Sequence, residues 1–350
     1  MFKKSVRNNE LKKHNIISRK KKLLLSIGTF IVLLLSITIG YLTHLYNKTE
    51  EIITESHEEV GREEEKSELR DKPVDPIDHN VSVLFIGLDT GQARSYGEAS
   101  RSDALLLATF NKKQNTAKLL SIPRDTYVYV PEAGYSTKIN HAHFLGGAKA
   151  TIETVEEFLN VPIDYYVSVN FDAFIEVVDS LNGIYYDVPF EFNEMDSNDN
   201  KDAIHLSPGY QLLTGEETLA LARSRKYDND IERGKRQQEI VKRIAEKAAS
   251  PSSAFKLGDV LESVGGNLKT NLKFDDLKSF LTYGTNKNFS IETINLDGKG
   301  GRMNDGLWYF QVNEESQAKI ERELRNHLDL PIYIRESSDL ANDHDEEIIY

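Results

Sequence analysis

The chain has 350 residues, no cysteine and a formal net charge of -13. The lack of cysteine excludes disulfides, thiolate nucleophiles and thiolate-bound zinc. Residues 1–45 carry nine Lys or Arg against one Glu, a charge of +8 that leaves -21 for the remainder, and an acidic body argues against sequence-independent nucleic-acid binding.

Residues 1–22 form a basic tail. Leu23 to Thr43 contains no charged residue and, as a helix rising about 1.5 Å per residue, matches a hydrocarbon core of about 30 Å. A transmembrane helix over 23–45 is therefore expected. The positive-inside rule leaves the basic tail in the cytoplasm and the rest outside. A cleaved signal peptide is the alternative, but the apolar run is long for one and no small-residue cleavage site follows it. Residues 46–79 are acidic and poor in aromatics, which predicts a solvated extracytoplasmic stalk, and 336–350 predicts an acidic disordered tail.

Between them, 80–335 alternates strand and helix. VSVLFIGLD (81–89) reads as a buried strand, and 104–111 with 117–123 as an antiparallel hairpin. YVYVP (127–131) extends the strand pattern. Residues 150–160 show helical periodicity, 164–171 a strand and 171–183 a helix ended by Gly183. Thr214 and Glu217 form a capping box that opens a helix over 214–224. A long helix follows over 231–250, then helix, strand and helix; GKGG (298–301) reads as a plain turn. The pattern predicts one α/β domain with helices on both faces of a mixed central sheet.

Three clusters carry candidate chemistry. Asp89, Arg101 and Asp103 share one edge of the sheet, joined by a Gly- and Ser-rich segment. Two carboxylates there suit Mg²⁺, which keeps waters and binds substrate phosphates; capping of loop backbone and pairing with Arg101 is the other reading. Arg124 and Asp125 follow a strand, with Lys138 close behind, an arrangement that also suits a loop salt bridge. Arg223, Arg225, Arg233 and Arg236 crowd the start of the long helix, and Arg233 and Arg236 continue its apolar stripe of Ile240, Ile244 and Ala248. Guanidinium groups facing a core need an anionic partner, and their planar fork fits phosphate oxygens. Asp228 or Asp230 is placed to cap that helix or to neutralise an arginine. His141 and His143 read as helix-start packing rather than a metal pair.

Taken in order, FIGLD, RSDALLLATF, SIPRDTYVYV, KIN, PIDYYVSVNFDAF, LTGEETLALARSR and DNDIERGKRQQ resemble the LytR-CpsA-Psr family of wall-polymer ligases. The resemblance implies a three-layer αβα sandwich with a hydrophobic tunnel for a polyprenyl chain. It implies Mg²⁺ on Asp89 and Asp103, with Arg101 alongside. It further implies a pyrophosphate site of Arg124, Lys138, Arg223, Arg225, Arg233 and Gln237, with Asp230 tuning it; for the reaction itself, an Asp near the metal, Asp103 or Asp230, is the expected acceptor of the hydroxyl proton. Asp230-Ile231-Glu232-Arg233 departs from the family's usual Asp-Phe-Gly-Arg but keeps its Asp and Arg. The activity implied is Mg²⁺-dependent transfer of an anionic glycopolymer, by family preference wall teichoic acid, from polyprenyl pyrophosphate to peptidoglycan. A lipid pyrophosphatase and a membrane-bound attenuator of transcription are the alternatives, although no helix-turn-helix pattern is visible.

Overall fold

The structure, a computed structural model, describes residues 43, 46–62, 64, 66–90, 100–225, 230–250, 257–286 and 288–332. The chain divides into Met1–Glu51, whose described residues are helical, and Ile52–Tyr350, which holds every element named below. The basic tail, the expected anchor apart from Thr43, and the C-terminal tail lie outside the described residues, among which no helix is long and apolar enough to cross a membrane.

In chain order the elements are β1 (Val81–Leu88), β2 (Ser102–Asn111), β3 (Thr116–Ile122), β4 (Tyr127–Val130), β5 (Tyr135–Lys138), α1 (His141–Leu159), β6 (Tyr165–Val169), α2 (Phe171–Ser180), β7 (Ile184–Val188), β8 (Phe192–Glu194), β9 (Ile204–Leu206), β10 (Gly209–Leu213), α3 (Gly215–Arg223), α4 (Asp230–Ala248), α5 (Leu257–Val264), β11 (Leu268–Thr270), α6 (Phe274–Thr285), β12 (Ser290–Asn295), β13 (Gly298–Arg302), β14 (Trp308–Val312) and α7 (Glu314–His327). The central sheet runs β11-β6-β1-β2-β3-β12. Its β1–β6 and β3–β12 pairs are parallel, and β2 runs antiparallel to both its neighbours.

Strand periodicity builds the layers. Leu84, Ile86, Leu105, Leu107, Leu120 and Ile122 point to one face, where Ile152 and Leu159 of α1 and Leu324 of α7 cover them. The alternate residues Val83, Leu106, Ala108 and Leu119 point to the other, against Val241 of α4 and Phe280 of α6. The result is the expected αβα layering around a mixed sheet. Thr214 caps α3 with the expected capping box to Glu217, a device worth about 1 kcal/mol.

Two expectations are corrected. The described residues of the expected stalk from His57 onward are part of the domain. His57 pairs with Thr270, Arg62 donates to the Ile163 carbonyl and pairs with Glu156, and Arg70 forks onto Asp164. The segment's acidic composition hid these few basic contacts and the packing of Val60 and Val74 against the core. GKGG is not a turn but the first four of the five residues of β13, paired along β14. Gly300 lies where a Cβ would sit 2.2 Å from the Trp308 ring, so small residues allow the close pairing. The helix read over 150–160 begins at His141 and kinks at Gly146–Gly147, where Gly147 has φ +64°.

Candidate anion-binding site at the sheet rim

β1, β3 and β6 end on the same rim of the sheet, and β2 begins there. Asp89 directly follows β1. Along most of β1–β2 one residue faces one, but Gly87 faces Ala104 while Leu88 faces Ser102. Asp103 is therefore the extra residue of a β-bulge, a device that re-aims a side chain and is common beside active sites. Its carboxylate meets the Arg124 guanidinium Nη1.

Arg124 follows β3 through a tight turn in which the Thr126 amide and hydroxyl both donate to the Pro123 carbonyl. The Asn140 amide donates to the Arg124 carbonyl at 3.2 Å and the Phe310 amide to the Asp125 carbonyl at 2.9 Å, so β5, α1 and β14 all brace this turn. Lys138 Nζ pairs with Asp125 Oδ1 at 2.8 Å, while Asp125 Oδ2 lies 3.9 Å from Arg124 Nε. Asp103, Arg124, Asp125 and Lys138 thus form one alternating chain of charge. Lys138 Nζ also sits 5.5 Å above the Tyr309 ring, and Tyr309 donates to Asp305 at 2.7 Å.

The arginine-rich region reaches the rim from the other side. Gly234 has no room for a side chain: a Cβ would lie 2.6 Å from Ser121 Oγ on β3. This approach brings the first turn of α4 against β3, three residues before Arg124. Arg233 and Arg236 are each 6 % exposed and Ile240 1 %, as the stripe required. Arg236, however, is structural. Its Nε donates to the Leu221 carbonyl and its Nη2 to the Ser224 carbonyl, closing the end of α3. Burial lowers its pKa from the usual arginine value. Gln237 Nε2 donates to the Ala222 carbonyl at 3.2 Å, leaving its amide oxygen aside from that contact. Arg223 stacks 4.7 Å from the Phe171 ring centre, and the Phe171 amide donates to the Thr90 carbonyl beside Asp89. Arg225 is exposed just after α3. Asp230 opens α4, but its side chain, like the whole of Asp228, lies outside the described residues.

Among the described residues, the arginine nitrogens buried without a hydrogen-bond partner include Arg124 Nε and Arg223 Nη1 at this rim, and Arg62 Nη2, ion-paired with Glu156 at 2.9 Å, at the opposite end of the sheet. A buried cationic donor left unmade is costly, and it marks the place for an acceptor. Arg101 is exposed at the entry to β2. His141 Nδ1 contacts Thr137 Oγ1 at 3.0 Å; burial, then the charges of Arg101 and Lys138, hold its pKa below the usual imidazole value. His143 is buried and donates from Nδ1 to the Ser100 carbonyl at 2.8 Å, which fits its reading as helix-start packing. No described group of three or more His, Asp or Glu side chains is arranged to hold a metal. Sequence reasoning missed the bulge and the contributions of Phe171, Asp305 and Tyr309. Only the alternation around Tyr127, discussed below, carried a readable signal of the aromatic side of this rim.

A rim of converging strand ends, a helix start and buried guanidinium groups with unsatisfied donors is a candidate site for an anion in an α/β fold. The chain belongs to the LytR_cpsA_psr family, which it matches over residues 43–326. It is 40% identical over 276 residues to the polyisoprenyl-teichoic acid–peptidoglycan teichoic acid transferase TagT of Bacillus subtilis, covering 78% of this chain and 84% of that one. It is 37% identical over 318 residues to the TagU transferase of the same organism, covering 89% and 97%. A solved structure of TagT bound to LIIa-WTA superimposes with a TM-score of 0.67 at 38% identity, over 78% of this chain and 100% of that one. Another, TagT with bound octaprenyl pyrophosphate lipid, does so at 0.61 and 36%, over 76% and 98%.

Proposed function

We propose that this protein transfers an anionic glycopolymer, wall teichoic acid, from a polyprenyl-pyrophosphate carrier to peptidoglycan, with residues 23–45 anchoring an extracytoplasmic domain. The observation that carries the reading is the pair of buried, unsatisfied donors on Arg124 and Arg223 at one sheet rim. An acidic protein gains nothing from such donors in its empty fold, whereas phosphate oxygens satisfy them. In this reading Arg124, Lys138, Arg223, Arg225, Arg233 and Gln237 hold the pyrophosphate. Its prenyl chain follows the apolar side of α2 to α4, where Phe174, Tyr186 and Phe190 are only partly buried.

An acceptor hydroxyl oxygen attacks the phosphorus bonded to the glycan. The bond from that phosphorus to the bridging oxygen breaks, and polyprenyl phosphate leaves. The arginines stabilise charge spread over the phosphoryl oxygens, where such reactions gain most of their rate. A carboxylate, Asp103 or Asp230, takes the hydroxyl proton, and Arg101 steadies the reacting oxygens. The residues present fit Mg²⁺: Asp89 and the bulged Asp103 are hard oxygen donors at one rim, and two protein carboxylates are what an ion that keeps its waters and binds substrate phosphate needs. Bound there, Mg²⁺ would neutralise charge on the phosphates.

The test uses the full chain in detergent micelles with a lipid-pyrophosphate-linked teichoic-acid precursor and uncrosslinked peptidoglycan, followed by mass spectrometry. A phosphodiester joining glycan to wall, lost with EDTA and restored by Mg²⁺, is expected. Release of polyprenyl phosphate without a joined product would make the protein a pyrophosphatase. Tight lipid binding without turnover would make it a carrier or attenuator.

A further inference from the structure

The β4–β5 hairpin leaves the anion site and carries a row of outward tyrosines. In YVYV, Val128 and Val130 are buried at 6 % and 0 %, while Tyr127 and Tyr129 are each 37 % exposed. Tyr127 is the register partner of Lys138, and Tyr129 that of Ser136. Side chains two apart on a strand share a face, so Lys138, Tyr127 and Tyr129 line one surface that begins at the cation chain. Tyr129 lies about 7 Å farther along it than Tyr127. Beneath, Tyr309 is 4 % exposed and packs edge-on to Tyr127, with ring centres 5.1 Å apart. The same ring carries Lys138 Nζ 5.5 Å above it, and its hydroxyl is held by Asp305. One buried ring therefore sets the Lys138 cation and an exposed aromatic side by side.

We infer that Tyr127 and Tyr129 form the subsite for the first sugars of the donor glycan, stacking the apolar C–H faces of pyranose rings beside the pyrophosphate. The inference rests on the proposed function. Two considerations select this occupant. The sugar bonded to the phosphorus is covalently held next to whatever binds that phosphate, and this face is continuous with Lys138. An exposed tyrosine offers an apolar ring with a polar tip, the combination a sugar ring matches. An apolar prenyl chain has no use for the hydroxyls, and the anionic remainder of a glycopolymer gains nothing from an aromatic face.

The test compares two lipids on the full chain in micelles: polyprenyl pyrophosphate alone and the same lipid carrying the donor's first disaccharide. The Tyr127→Ala variant is expected to bind the disaccharide lipid about tenfold more weakly, down to the level of the bare lipid, whose own binding is unchanged. Tyr127→Phe should keep the preference, since the ring is retained, and Tyr129→Ala should lose part of it. Equal weakening of both lipids, or no weakening of either, overturns the subsite. A rise in KM for peptidoglycan alone overturns it in favour of an acceptor site. Failure of the unsubstituted chain to bind either lipid removes the proposed function itself and the subsite with it. Unchanged melting of each variant separates these effects from misfolding.

Discussion

The two ends of the central sheet use arginine in opposite ways. At the end where β1 and β6 begin, Arg70 donates through Nε and Nη2 to both oxygens of Asp164, at 2.9 and 2.6 Å, and through Nη2 again to the Asn80 carbonyl. Asp164 in turn accepts from the Ser82 amide and hydroxyl. That network joins a docked N-terminal segment to two strand starts, and its directed donors meet acceptors. At the other end, Arg124 and Arg223 keep buried donors without acceptors. The fastening end is not wholly satisfied either, since Arg62 Nη2 there makes no hydrogen bond, but it lies 2.9 Å from Glu156 Oε1 in an ion pair. Charge density in the sequence finds both ends, and the partners of each guanidinium, not burial alone, tell them apart.

Four changes would break or sharpen this contrast. Asp164→Ala strands a buried guanidinium and should cost about 3–5 kcal/mol in chemical denaturation, with turnover per folded molecule unchanged. Arg223→Ala should do the reverse. Its turnover should fall about 10²–10³-fold, while stability moves by less than about 1 kcal/mol for the lost ring contact. If Arg223→Ala proved as destabilising as Asp164→Ala, the rim arginines would be fasteners as well. Gly234→Ala should act on both properties, since the new methyl meets Ser121 and displaces the start of α4. A cost of about 1–3 kcal/mol with reduced turnover is expected, both partly restored by Ser121→Gly in the same chain.

The smallest effect is a pH dependence. His327 is buried between the Thr109 and Thr116 hydroxyls, and burial, then the charge of Lys118, lowers its pKa from 6.5 to about 4. The unfolded chain therefore binds this proton more readily than the folded one. The neutral ring's contribution is fully present above about pH 6.5 and is lost as pH falls through the window down to about 4. Denaturation midpoints of His327→Gln should fall less steeply across that window than those of the parent chain.

Much of this was legible in the residues. Apolar runs fixed β1, β2 and β3, the capping box fixed the start of α3, and the helical stripe correctly turned Arg233 and Arg236 inward. Charge type alone did not separate the two: Arg236 closes α3 through backbone carbonyls, a role set by which carbonyls lie above it. Asp103 was identified by its position after a loop, but its outward turn comes from a bulge that depends on the pairing of a different strand. Docking of the segment from His57 includes contacts from Arg62 and Arg70 to residues about a hundred positions away and the packing of single residues such as Val60 and Val74, and composition averages such contacts out. The pairing of Tyr309 with Lys138 likewise joins segments far apart in the chain, and periodicity within either segment gives no sign of it.

The bulge also divides the chain into parts that tolerate different kinds of evolutionary change. Seven successive register pairs, Val81–Gly87 against Phe110–Ala104, hold β1 and β2 beyond it. Removing one residue within that stretch would turn every following side chain of β2 to the wrong layer. Loss of the single residue at the bulge would instead leave those seven pairs in register and remove only the carboxylate. Descendants of one ancestral gene can thus lose or change the charge at this rim while inheriting the same ladder, so the chemistry of the rim can drift at little cost to the fold.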